Sequence, residues 1–142
     1  MLTSERIQAA RKDRDLNRLI SEIPYAQLIG MHSINLGEEL IFVMPALESN
    51  LGNPILPAIH GGVIGGFMEN AAIFYTLGTV ETNVIPRVVD FSLDYLRPGR
   101  LQDTYCSCEV VRQGRKVINV SVSTWQVRRD QPIASARTHL LL

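Results

Sequence analysis

The chain has 142 residues, 46% of them hydrophobic, with 14 basic and 14 acidic side chains. That length fits one ordinary domain, and the apolar share excludes wholesale disorder. Zero net charge leaves no electrostatic footprint for nucleic acid, and two cysteines are too few for a four-ligand zinc site.

In chain order, the first predicted element is a helix from Thr3 or Ser4 to Ile23. A hydroxyl can cap its start, and Ile7, Ala10, Leu16, Leu19, Ile20 and Ile23 supply an apolar stripe. Pro24 should end it. Arg6, Arg11, Lys12, Asp13, Arg14 and Asp15 read as its solvated face. No apolar core of a secretory signal stands among the first residues, so the expected location is the cytoplasm. Residues 27–36 and 38–45 read as two strands joined at Gly37, and 46–59, with Gly52, Pro54 and Pro57, as an irregular loop. The uncharged run Ser49–Met68 is broken by prolines and asparagines and does not read as a membrane span.

A mostly apolar helix is predicted from His60 or Gly61 to about Leu77, closing at Gly78. Four strands follow. Val89, Phe91, Leu93 and Tyr95 alternate with polar residues, and segments 103–112, 116–127 and 133–141 come after them, joined by hairpin-length turns. Cys106 and Cys108 share one strand face as small core residues, and Trp125 reads as packing. Consecutive strands with short links imply an antiparallel meander, and one long apolar helix needs a sheet to cover it. The fold class is therefore α+β, a curved antiparallel sheet wrapped around a long central helix.

Glu69 is the only charged side chain between Gly61 and Val80. Inside an apolar helix a carboxylate loses solvation, so it reads as a catalytic acid or base. The plainer reading is an acid that reaches solvent at an edge or pairs with a buried arginine. Gly61, Gly62, Gly65 and Gly66 fall in the first two turns, each costing roughly 0.5–1 kcal/mol relative to alanine. Either close packing or exposed N–H donors at the positive helix end must offset that. Gly61 and Gly62, beside His60, fit an oxyanion-binding turn, while Gly65 and Gly66 fit either account. Glu69 lies nine residues past His60, about 13–14 Å along a helix. One carbonyl cannot touch both ends of that span in one subunit, so the constellation predicts a homodimer with sites at its interface.

His60-Gly61-Gly62, the acid at 69, VVDFSLDYLRPG at 88–99 and VVRQGRKVINVSV at 110–122 together resemble the hotdog-fold acyl-CoA thioesterases, most nearly the phenylacetate-pathway branch. The likeness spans roughly residues 27–141 of a single domain, leaving residues 1–24 as an extra N-terminal helix. It implies a dimer with a continuous sheet, often paired again into tetramers. It also implies Glu69 as nucleophile or general base, the Gly61 N–H (with Gly62 nearby) as the group that polarises the thioester carbonyl, and His60 as the residue that shapes the turn.

Where members carry an asparagine six residues before the histidine, this chain has Pro54, and Asn53 is the substitute. Many close members have Asp where Glu69 stands. A hydroxyl that some place two residues before Asp90 is here Val88, leaving Thr76 or Ser92 to supply one. Arg97, Arg112, Arg115 and Lys116 are candidates for coenzyme A phosphates, or else ordinary solvated bases.

The leading expectation is hydrolysis of acyl-CoA thioesters to free acid and coenzyme A. Water is the second substrate and no metal or redox cofactor is implied. The alternatives are a 3-hydroxyacyl thioester dehydratase or hydratase, and a non-catalytic acyl-CoA binding protein. An acyl-carrier-protein thioester is a variant substrate.

Overall fold

A computed structural model describes residues 1–142. At the N-terminus Thr3 Oγ accepts the amide of Arg6 and starts α1 (Ser4–Lys12). The helix does not continue to Ile23. Arg14 takes a left-handed conformation (φ 53°), and the chain turns into α2 (Asn17–Ile20) and α3 (Pro24–Ile29). The turn leaves the apolar stripe intact, since Ile7, Ala10, Leu16, Leu19 and Ile20 are all buried. Pro24 opens α3 instead of stopping a helix, because the first turn needs no N–H from it. Gly30, at φ 78°, closes α3, so residues 27–29 are helical and the first strand begins later than expected.

Eight strands follow that start. They are β1 (His32–Leu36), β2 (Glu39–Met44), β3 (Leu51–Asn53), β4 (Ala58–Ile59), β5 (Arg87–Tyr95), β6 (Thr104–Gln113), β7 (Val117–Trp125) and β8 (Ala134–Leu141). Between β4 and β5 runs α4 (Gly61–Thr79), which passes through Gly78 and ends one residue beyond it. The main sheet is antiparallel with order β1-β2-β6-β7-β8-β5, and β3 and β4 form a separate hairpin.

The expected four-strand meander holds only for β6, β7 and β8. β5 pairs with β8 and forms one edge of the sheet, from Arg87↔Leu141 to Tyr95↔Ala134, with a bulge between Val88 and Asp90. The physical reason is reach. The eight residues 96–103 can span the three strand spacings of about 4.8 Å each that separate β5 from β6.

The sheet wraps α4, the hotdog arrangement. Phe67, Met68, Ala71, Phe74 and Leu77 of α4 are fully buried, and Phe42, Cys106, Ile118, Val120 and Leu140 reach the same core from the sheet. That single core of 27 buried residues includes Ile7, Ala10, Leu19 and Ile29, so the N-terminal helices are part of the domain's packing. No helix is long and apolar enough to cross a membrane.

Candidate active site

The hairpin of β3 and β4 delivers His60 to the start of α4. His60 N donates to the carbonyl of Asn50 at 2.9 Å, and buried Asn50 in turn donates its Nδ2 to the carbonyl of Ile29 at 3.1 Å. The imidazole then folds back. Its Nδ1 accepts the amide of Gly62 at 2.9 Å, capping the helix. That bond requires Nδ1 to be unprotonated, leaving the hydrogen on Nε2. A Cβ on Gly62 would sit 2.9–3.0 Å from the ring, so the cap and the glycine require each other.

The Gly61 N–H, the first of the helix, has no acceptor within the chain. The Gly61 carbonyl accepts from Tyr95 Oη at 2.7 Å, which ties the helix start to the end of β5. One of the two glycine amides is therefore occupied. The other is free where the helix dipole is positive.

Glu69 lies two turns further along α4. Contrary to the expectation of an interior position, it is only half-buried in the single chain. The sheet covers one side of α4, while Gly62, Gly65, Gly66, Glu69, Asn70 and Ile73 form a stripe that it leaves partly open. Over that stripe lies Tyr25 of α3, whose hydroxyl is 2.5 Å from where a Gly66 Cβ would be. Asn70 Nδ2 donates to the Gly66 carbonyl at 2.8 Å on the same face. Burial, and then the charge of Glu69, push the Tyr25 phenol above its ordinary range, so it stays protonated. Leu93 packs against Gly65. Packing therefore accounts for both inner glycines.

Sequence reasoning missed Tyr25, Asn50 and the bond from Tyr95. The Tyr95 position was visible in the 88–99 motif. Nothing near Tyr25 pointed to it, because its partner surface is a glycine 41 residues away.

The remaining candidates scatter. Asn53 Oδ1 accepts the amides of Ile55 (3.0 Å) and Leu56 (3.3 Å), holding the hairpin turn, one residue past the Gly52 that packs on His60. Arg97 donates to the carbonyl of Pro132, while Arg112 lines an open cleft of about 360 Å³ with Gly114, Val117, Asn119 and His139. Arg115 and Lys116 are exposed in the turn between β6 and β7. Arg97 sits beside Ile133 and Lys116 beside Leu142, so nine residues of strand, roughly 30 Å, separate them. One chain cannot bring all four bases to one phosphate group.

Thr76 Oγ is buried and donates to the Ala72 carbonyl at 2.9 Å, and Ser92 is exposed opposite Arg137. Neither is free beside Glu69. Trp125 stacks on Tyr105 with centroids 6.0 Å apart, under the Arg129 guanidinium. His139 pairs with Asp90 at 2.9 Å.

Comparison with known proteins adds the following. The model of one family, the thioesterase superfamily, matches residues 56–133. A solved protein of Chromobacterium violaceum is 40% identical, over 97% of this chain and 96% of that one, with a TM-score of 0.81. A phenylacetic acid degradation-related protein of Ralstonia eutropha is 20% identical over 88% of this chain and 97% of that one (TM-score 0.74). A Streptococcus mutans protein bound to acetyl-CoA is 18% identical over 79% and 87% (TM-score 0.67). The last two likenesses show the fold alone. No curated protein matches.

Proposed function

Because the chain belongs to the thioesterase superfamily, we propose that it hydrolyses acyl-CoA thioesters, with Glu69 and the Gly61 N–H as the working groups of a site shared between two subunits. The observation that carries this reading is the helix start. His60 occupies the Gly62 amide and leaves that of Gly61 open at the positive end of a helix whose only carboxylate is Glu69. Glu69 and Gly61 are eight residues apart, about 12 Å, so a thioester meeting both must lie between two copies.

The second copy joins at β5. This nine-residue strand is the longer of the sheet's two unpaired edges, five-residue β1 being the other, and leaves Val89 60% and Tyr95 56% exposed. Antiparallel pairing of two such edges reverses the strand ends. Arg97 of one chain then comes to the end that carries Arg112, Arg115 and Lys116 in the other, and this gathers the cations for the phosphates of coenzyme A. The acetyl-CoA held by the Streptococcus mutans protein supports that choice of carrier.

In the reaction, the thioester carbonyl oxygen accepts the Gly61 N–H. Glu69 either takes a proton from water as the water oxygen bonds to the carbonyl carbon, or bonds to that carbon itself before water releases the acyl group. Either way the C–S bond breaks, the sulfur leaves as the coenzyme A thiol, and the acyl group leaves as the acid. Water is the only co-reactant, no cofactor takes part, and the dimer is the working unit. Dimers paired back to back into tetramers keep both sites.

The test is a panel of short, medium, long and aryl acyl-CoAs with released thiol as readout. Wild type turns over at least one, and Glu69→Gln loses on the order of a hundredfold or more in kcat. Binding without turnover in either protein would sink the reading. Single turnover in ¹⁸O-water that labels the Glu69 carboxyl identifies the covalent route, with water attacking the glutamyl carbon of the anhydride.

A further inference from the structure

We infer that Tyr25 is a catalytic residue of this site: its phenol oxygen holds the water that Glu69 activates. The inference rests on the hydrolase reading above. Three observations bring the residue there. Its hydroxyl occupies the notch left by the missing side chain of Gly66, one turn before Glu69 on the same open stripe of α4. Asn70 braces that notch through the Gly66 carbonyl at 2.8 Å. The two hydroxyls otherwise expected near the carboxylate are engaged or remote, since Thr76 donates to the Ala72 carbonyl and Ser92 faces out from the sheet edge.

Tyr25 is 37% exposed, so the residue is not sealed in the core. The water gives one hydrogen to the Glu69 carboxylate and directs its second to the Tyr25 oxygen. That fixes its lone pair toward the carbonyl carbon. The proton on Glu69 later leaves with the thiol, and Tyr25 keeps its own proton throughout. The phenol is suited to this because partial burial, and then the charge of Glu69, disfavour its anion.

Two variants test the inference. Tyr25→Phe keeps the ring on Gly66 and removes only the hydroxyl. Gly66→Ala keeps the hydroxyl but drives it out of the notch, and alanine strengthens the helix. Each is expected to lower kcat about tenfold, the worth of one well-placed hydrogen bond, with KM within about twofold and no loss of thermal stability. The double variant should be no slower than either single one, as both remove one contact.

Unchanged kcat in Tyr25→Phe, with Glu69→Gln still inactive, overturns the role of Tyr25 and leaves the hydrolase reading standing. If wild type hydrolyses no thioester, that reading falls and takes the catalytic role with it. Proximity is read independently of turnover by titrating ¹³C-labelled tyrosine. The Tyr25 signal should titrate at lower pH in Glu69→Gln than in wild type, and an identical titration overturns the inference.

Discussion

A thiol facing the inside of a sheet resists ionisation, and Cys108 is such a thiol. Desolvation in a partly buried position, and then the neighbouring Cys106 thiol, push it well above the ordinary range. The folded chain therefore keeps a proton that the unfolded chain releases near pH 8.5. Stability from this group is complete below that pH and declines as pH rises toward the folded value. Cys108→Val is expected to flatten the alkaline loss of stability by at most one proton, about 1.4 kcal/mol per pH unit, measured by urea unfolding between pH 7 and 10.

At this scale the sequence was informative where a residue contradicts its surroundings. Glu69 stands out as a lone charge in an apolar helix, and Gly61 and Gly62 stand out beside His60. Tyr25 contradicts nothing locally, and its position depends on where α3 happens to dock. The occupied amide of Gly62 was equally hidden, since the rotamer of His60 sets it.

Among the elements, α4 shows how two ends of one helix are managed differently. Its start is closed by an imidazole, and its end is held by a distant cation. Arg11 of α1 donates Nε to the Leu77 carbonyl at 2.9 Å and a second nitrogen to the carbonyl of Thr82. A guanidinium there satisfies carbonyls the helix leaves open and meets the negative end of its dipole. Arg11→Met, which preserves the aliphatic stem, is expected to cost about 1–3 kcal/mol, read as a lower urea midpoint with an unchanged m-value.

Periodicity had assigned Arg11 to a solvated face, because a contact 66 residues away has no local signature. The same limit explains the broken N-terminal helix. An apolar stripe stays in phase across a turn, so α1 and α2 read as one rod. Gly78 misled in the opposite sense. Leu16 and Leu40 press within 2.8–3.3 Å of its Cβ position, so packing, and not termination, puts a glycine there.

For the whole molecule, element types and the wrap of sheet around helix were legible because strand and helix periods differ so clearly. Strand order was not, because an eight-residue link allows both a neighbour and a crossover. That order makes β5 an edge of the sheet, as β1 is at the other side, and the proposed dimer forms on β5. Val89→Lys places a charge on an exposed position of that edge and is expected to shift the protein toward monomer in sedimentation equilibrium. Turnover per chain should fall in step with the dimer fraction.

A last consequence follows from the imidazole that closes the helix start. With one hydrogen left to offer, that helix start suits an acceptor that presents a single oxygen. Under the proposed hydrolysis the acid formed ionises and presents two, one of which finds no donor there and meets a carboxylate of like sign from the partner. The proposed reaction thus turns a well-matched guest into a poorly matched one, and on that reading departure of the acid needs no separate gate.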